Sequence, residues 1–248
     1  MPCLNEEDNL AAAVQDALKA LYDKGVEGEV IVVNDGSTDK SQVIVEEIAL
    51  SDPRVQVLNR KKRGGIGQAF WDGAAIAAYP FVVMIPGDNE NETSEVLSYY
   101  DLVHRVDIVV PFIHNVEVRD IRRRLISSLY RFIINFSFGT LLNYTNGTVV
   151  YNTKALRTIT LRSTGFFYQT ELLVKLIRKG FLYAEVPQFL GTRGGGKSTA
   201  LTLKSFYSIF WSFIRLLIDV RILRTEGNSS DLNFPVGTSS HRKYQSLK

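Results

Sequence analysis

Apolar residues recur along the first half of the chain in two different periods. Between Asn9 and Asp23, Leu10, Val14, Leu18 and Leu21 fall at helical spacing and predict an amphipathic helix. Glu29–Asn34 (EVIVVN), Val55–Leu58 and Phe81–Ile85 (FVVMI) are short apolar runs, the pattern of strands buried on both faces. Ser41–Leu50 and Gly67–Ala78 read as the helices between them. Strands alternating with helices at this spacing predict right-handed β-α-β units and a mostly parallel sheet. Such sheets bind ligands beyond the carboxyl ends of their strands. Two of these strands run into aspartate-bearing turns, Asp35-Gly36-Ser37-Thr38-Asp39 and Pro86-Gly87-Asp88-Asn89-Glu90.

The second half has a different texture. Strands are predicted at Asp107–Pro111, Thr148–Tyr151 and Phe181–Val186, with helices at Arg119–Leu142 and Glu171–Lys179. Thr202–Leu223 is a helical run dense in Phe, Tyr, Trp, Ile and Leu, broken by Arg215 and Asp219. Those charges argue against a helix that spans a bilayer. A helix lying in the membrane interface fits better, with Lys204, Arg215, Arg221 and Arg224 near anionic head groups; a core helix or partner-docking face is the alternative. Thr225–Lys248 is polar and Ser/Asn-rich and predicts a disordered tail.

Composition narrows this picture only slightly. The 248 residues are 45% hydrophobic and 22% charged, which is ordinary for a globular chain. A net charge of +3 is too weak to argue for nucleic acid. The lone Cys3 cannot pair within the chain, and no secretory signal precedes it, so a reducing compartment is the expectation.

Candidate chemistry clusters at the turns. Asp35 can accept hydrogen bonds from a base or ribose; alternatively, Asp35 and Asp39 cap the next helix. Asp88 and Glu90 are two hard oxygen ligands two residues apart, suited to a divalent cation on a diphosphate, unless they form only a solvated acidic turn. Arg60-Lys61-Lys62-Arg63-Gly64-Gly65-Ile66-Gly67 sets basic side chains and glycines at a helix start, where backbone N–H groups favour phosphate; a solvated basic loop is the competing reading. Gly191–Ser198 (GTRGGGKS) matches the phosphate-binding loop of nucleoside triphosphatases letter for letter. Too little sheet follows it, however, and Asp219, the acid such a fold would need, lies inside a helical pattern.

Taken in order, these pieces resemble family 2 glycosyltransferases of the GT-A fold, in the branch that includes dolichyl/polyprenyl-phosphate mannose synthases. The resemblance rests on Pro2-Cys3-Leu4-Asn5-Glu6, Val32–Asp39, Gly65 to Gly73, Gly87-Asp88-Asn89-Glu90, the Arg123/Ser127 pair, Phe166–Leu172, Glu185-Val186-Pro187 and Arg193-x-x-Gly196-x-Ser198. It implies a Rossmann-like α/β domain over residues 1–200, an apolar helix over 201–224 and the polar tail over 225–248. By that resemblance, Pro2, Leu4, Asn5, Glu6, Asp35, Gly65 and Gly87 contact a GDP- or UDP-linked sugar. Asp88, helped by Glu90, holds Mg²⁺ or Mn²⁺. Arg119, Arg123, Ser127, Lys197 and Ser198 position a polyprenyl phosphate, with Asp88, Arg123 and Arg193 as the residues closest to the chemistry. The implied enzyme inverts the anomeric centre and sits peripherally on the cytoplasmic face of a membrane, with a second copy or a membrane partner left open.

Several positions depart from the family pattern. Asn34 replaces the first Asp of its pair, Pro86 replaces the first metal-site Asp, and the strand expected just before Pro2 is absent. Two other activities follow from the same residues. One is transfer to a saccharide or small hydroxyl acceptor, which needs a base, with Glu171 the first candidate. The other is a non-catalytic sugar-nucleotide-binding subunit. His104, His114 and His241 fall outside every motif.

Overall fold

The computed structural model describes residues 1–118, 121–189, 203–222 and 233–247. Two sheets carry the architecture. In the first, β1 (Pro2–Cys3), β2 (Val30–Asn34) and β3 (Val55–Asn59) are all parallel, in the order β1-β2-β3. The second has the order β4-β6-β5-β7, from β4 (Phe81–Val83), β5 (Ile108–Ile113), β6 (Val150–Asn152) and β7 (Tyr183–Gln188). Here β5 and β7 are parallel, whereas β6 runs antiparallel to both neighbours. A β-branched run such as TVVY announces a strand but not its direction, so this reversal was invisible in the pattern.

Helices cover the sheets as the periodicity predicts. In α1 (Leu10–Lys24), Leu10, Val14, Ala17 and Leu18 turn inward onto Val30, Val32 and Val55. The helix ends at Gly25, whose φ of 66° is left-handed and lets its N–H reach the carbonyls of Leu21 and Tyr22. All five residues of β2 are buried, as expected of a parallel strand covered on both faces. α2 (Ser41–Ser51) and α3 (Ile66–Ile76) complete this half. α4 (Thr93–Ser98) follows β4.

The larger core joins Phe70 and Ala74 of α3 to Ile108, Val110, Tyr151 and the inner face of α7 (Tyr168–Arg178), where Leu172, Leu173 and Leu176 are fully buried. α5 (Ile121–Phe138) and α8 (Leu203–Leu217) pack together through Ile134, Phe138, Phe213 and Leu216, and α6 (Thr153–Leu156) is a single turn. Beyond α8 the chain continues as a π-helical turn at Ile218–Ile222, so the predicted apolar helix ends its regular course at Leu217.

Two expectations are corrected. The sheet is not left without a first strand: Pro2–Cys3 themselves, rather than residues before them, form a two-residue β1, with Val33 and Asp35 donating to the carbonyls of Met1 and Cys3. Nor is the tail disordered throughout. Within residues 233–247, α9 (Ser239–Gln245) docks on Asp107 at the start of β5. The buried Asp107 carboxylate accepts the backbone N–H groups of Ser239 (2.6 Å) and Ser240 (2.9 Å) and the Ser240 hydroxyl. Phe234 stacks edge-on against Phe181. A carboxylate 1% exposed at a strand end needs such donors, and they come from 132 residues away.

Candidate active site

The two aspartate turns lie at the carboxyl ends of β2 and β4, where a sheet of this kind presents its loops. Around Asp35 the chain is stitched tightly. Asn5 adopts a left-handed φ of 57°, and its Oδ1 accepts the Thr38 N–H at 2.8 Å while its own N–H donates to Ser37 Oγ. The Glu6 N–H donates to Ser41 Oγ at 2.8 Å. Asp39, not Asp35, braces the start of α2, accepting from Ser41 N and from Glu7 N; burial pushes its carboxyl up, but hydrogen bonds from the Ser41 side chain and from backbone N–H groups together outweigh it and hold the carboxyl below the usual range. The segment around Asn5 and Glu6 is therefore fixed against the Asp35 turn.

Asp35 itself turns to the glycine-rich loop. Its two carboxylate oxygens accept the N–H groups of Gly64 and Gly65, each at 2.8 Å, and Arg60 Nε lies 3.2 Å from Oδ1. The next donors are also engaged: Gly67 and Gln68 both give their N–H to the carbonyl of Thr164, at 2.8 and 3.3 Å. This corrects the reading of the α3 start as a phosphate cradle, because the protein's own acceptors occupy those four N–H groups. Glycine is demanded here by close approach. A Cβ on Gly65, whose φ is 95°, would sit 2.6 Å from Thr164 O, and one on Gly67 would sit 2.6 Å from Tyr168 Cβ. Arg60 is likewise internal, paired with Asp72 as well as Asp35, whereas Lys61, Lys62 and Arg63 are exposed.

The Asp88 turn is built for a different purpose. Gly87 donates its N–H to Pro2 O at 3.0 Å and is packed so closely on Leu10, Pro2 and Cys3 that a Cβ would be crowded. This ties the turn to β1. Asn89 takes a left-handed φ of 54°, and Asp88 Oδ1 accepts the Glu90 N–H at 3.1 Å. Asp88, Asn89 and Glu90 all line a cleft of about 1070 Å³, together with Arg123 from the first turn of α5 and Tyr144, Gln169 and Gln188. Ser127, one turn beyond Arg123, is half-buried and outside the cleft lining. The cleft volume suits a ligand of nucleotide-sugar size.

The electrostatics of this wall are acidic. The Glu6 carboxyl is pushed up by burial and further by the charges of Asp88, Asp39 and Glu90, while the Asn9 amide opposes the shift. Negative charge gathered beside a cleft favours a cation, and Asp88 and Glu90 supply hard oxygens for one. Among the described residues no group of three or more His, Cys, Asp or Glu is placed to hold a metal. The pair fits a Mg²⁺-like ion that takes one or two carboxylates and completes its shell with water and phosphate oxygens.

Other predicted residues resolve differently. Glu171 is 2% exposed, and its oxygens accept from Arg162 N, Ser163 N and the ammonium of Lys175, 2.8 Å away. It holds the loop that brings Thr164 to α3 and is not placed to serve as a base in the cleft. Asp219 is buried against Arg162 at 2.9 Å. None of the three histidines lines the cleft. Arg119, Arg193, Lys197 and Ser198, with the Gly191–Ser198 loop, lie outside the described residues. Sequence reasoning gave no role to Tyr144, Gln169 and Gln188: Gln169 lies within the Phe166–Leu172 signature but was not singled out there, and Tyr144 and Gln188 follow no motif and meet it only in three dimensions.

The residues 1–160 match the family model described as "Glycosyl transferase family 2". A polyprenol monophosphomannose synthase of Mycolicibacterium smegmatis is 28% identical over 200 residues, covering 75% of this chain and 74% of that protein. A dolichyl-phosphate beta-glucosyltransferase of Trichomonas vaginalis is 28% identical over 100 residues, covering 38% and 30%. The solved structure of glucosyl-3-phosphoglycerate synthase from Mycobacterium tuberculosis in complex with Mn²⁺, UDP and glucosyl-3-phosphoglycerate superposes with a TM-score of 0.60 at 21% identity, covering 88% and 77%. The fold is GT-A-like, and the chain belongs to glycosyltransferase family 2.

Proposed function

We propose that this glycosyltransferase moves a hexose from a nucleoside-diphosphate sugar to a polyprenyl phosphate. The observation that carries the reading is the meeting of two acids, Asp88 and Glu90, and a cation, Arg123, in the lining of one cleft. The names of the polyprenol and dolichyl-phosphate relatives support the same acceptor class. The donor's base and ribose would lie along Pro2 to Glu6 and the Asp35 turn, whose carboxylate keeps further lone pairs after accepting two N–H groups.

Asp88 and Glu90 would hold Mg²⁺ or Mn²⁺, which when bound offsets charge on the diphosphate as it departs. Arg123 would orient the acceptor phosphate, with Ser127, Arg119, Arg193, Lys197 and Ser198 as further candidates. A phosphate oxygen attacks the anomeric carbon, the bond from that carbon to the diphosphate oxygen breaks, and its electron pair leaves with the nucleoside diphosphate. The acceptor is already ionised near neutral pH, so no proton has to be removed. This accords with the burial of Glu171 and with the cleft lining containing no histidine among the described residues. Attack opposite the leaving group inverts the anomeric centre.

The deciding assay offers GDP- and UDP-hexoses with Mn²⁺ to the protein, with a short polyprenyl phosphate or 3-phosphoglycerate as acceptor. The reading expects label in the organic phase, lost when the metal is chelated. Label transferred only to 3-phosphoglycerate or another hydroxyl acceptor would overturn it.

A further inference from the structure

Two sequence signatures without a part in the proposed reaction, Phe166–Leu172 and Glu185-Val186-Pro187, converge on one loop, residues 143–148 in the connection from α5 to β6. Glu185 of β7 accepts both donors of Asn143, the backbone N–H at 2.6 Å and the side-chain amide at 2.9 Å. At the other end, the buried Gln169 of α7 donates an amide N–H to the Gly147 carbonyl, and the Thr148 hydroxyl reaches Gln188 Oε1 at 3.4 Å. Asn135 braces the approach from α5, donating to the Leu142 carbonyl at 2.9 Å and accepting the Leu142 N–H at 3.1 Å. Gly147 is pressed against β5: a Cβ there would sit 2.9 Å from Pro111 O and 3.4 Å from Tyr144 Cδ1. Connecting loops are normally among the more mobile parts of a fold. Here α5, β5, α7 and β7 hold both ends of a six-residue loop.

What the clamps present is uncharged. Tyr144, Asn146, Gly147 and Thr148 line the same cleft as Asp88, Glu90 and Arg123, and Gln169 and Gln188 join them. No Asp, Glu, Lys or Arg occurs between Asn143 and Thr148. A hexose asks for this chemistry. It carries no charge, each of its hydroxyls both donates and accepts, and its ring carbons offer an apolar face. Asn and Gln amides and a Tyr hydroxyl likewise donate and accept, and an aromatic ring can cover the apolar face. Carboxylates and Arg123, by contrast, suit the cation and the phosphates that border the sugar. A site that hydrogen-bonds a given hydroxyl discriminates by leaving its own polar groups unpaired with the wrong sugar, which requires that they be held in place.

We propose that the loop 143–148 is the hexose-reading surface of the cleft, with Tyr144 and Asn146 its specificity-determining side chains and Glu185 the positioning residue that sets them. That role rests on a nucleoside-diphosphate hexose as donor, the first half of the proposed function, and not on the acceptor's identity. Glu185 does not line the cleft; it acts through Asn143, the residue next to Tyr144.

The test compares epimeric donors on one nucleotide, UDP-glucose against UDP-galactose and GDP-mannose against GDP-glucose. It reads kcat/KM for release of UDP or GDP with Mn²⁺ and either a short polyprenyl phosphate or 3-phosphoglycerate, and in parallel the affinity for UDP or GDP alone. The native protein should favour one epimer. Tyr144→Ala and Asn146→Ala should each cut that preference at least about tenfold, while nucleotide affinity and melting temperature stay near native. Glu185→Ala should cut it similarly and, combined with Tyr144→Ala, bring little further loss, the non-additivity of a residue acting through its neighbour. Glu185→Gln keeps one of the two acceptors, so it should fall between native and Glu185→Ala, and it carries the test if Glu185→Ala melts early. An unchanged preference in the Tyr144 and Asn146 variants would overturn the proposal, as would nucleotide affinity falling in step with it or a native protein indifferent to both epimer pairs. Full additivity of Glu185→Ala and Tyr144→Ala would overturn the positioning role. Transfer to 3-phosphoglycerate alone, with the preference still lost in the variants, would overturn the proposed acceptor and leave the hexose-reading loop standing.

Discussion

Asp35 and Asp88 occupy matching positions, each in a glycine-containing turn after a strand, yet their surroundings differ. Asp35 is 4% exposed and accepts two backbone N–H groups from a loop 29 and 30 residues away. Asp88 is half-buried, accepts the Glu90 N–H within its own turn and lines a large cleft. A carboxylate whose oxygens organise the backbone is a structural joint that a ligand can at most share. One that faces a cleft beside other acids stands where a divalent cation would find hard oxygen ligands. The difference lies in what the neighbouring chain donates, not in the local motif.

The comparison breaks most readily at Asp88. Replacing it with Ala should lower sugar transfer by about 10²–10³-fold, the scale of losing one electrostatic stabiliser of a leaving group, and leave thermal unfolding unchanged. Transfer within a few-fold of native at saturating donor would remove Asp88 from the chemistry. Asp35→Ala should show the reverse weighting. It strands two N–H donors and the partly buried Arg60, so a loss of about 2–4 kcal/mol in denaturant unfolding is expected. A stable Asp35 variant would mean that the glycine loop holds itself.

Arg123→Ala sharpens the contrast between the cleft walls. It should raise the KM for a phosphate acceptor about tenfold while the donor KM stays near native, whereas equal effects on both would argue against an acceptor site. The smallest effect is expected at Glu6. Its carboxyl is raised, so between its ordinary and its raised pKa the folded state binds more protons than the unfolded one. Stability contributed by the protonated form is therefore lost as pH rises through that window. Glu6→Gln should remove this slope, with a gain below about 1 kcal/mol near neutral pH after solvent screening. An unchanged pH profile of unfolding would contradict it.

Much of the fold was legible in the chain. The period of Leu10, Val14 and Leu18 specified α1, and the run Val30–Asn34 specified a strand buried on both faces, because each pattern admits few alternatives. The order of motifs pointed to the Asp35 and Asp88 turns as the candidate site, and the Asp88 turn lines the large cleft. Direction in β6 was not legible, since a pleated strand reads alike both ways. The docking of 233–247 was hidden because polar composition says nothing of a buried Asp107 waiting elsewhere for serine donors. The glycine loop misled for a related reason: its N–H groups look available until Thr164 is brought to them by Glu171 and Lys175. Long-range partners decide such cases, and local spacing does not carry them.

The most direct measurement is the melting temperature of the native protein and of Asp88→Asn with GDP- or UDP-hexose, each with and without Mn²⁺. Binding to the folded state raises stability. The native protein should gain a nucleotide-dependent rise that Mn²⁺ enlarges, and Asp88→Asn should melt like the native protein without ligand but lose the Mn²⁺ increment. An Asp88→Asn protein that keeps the full Mn²⁺ increment would contradict the assignment of this turn to the metal and its diphosphate.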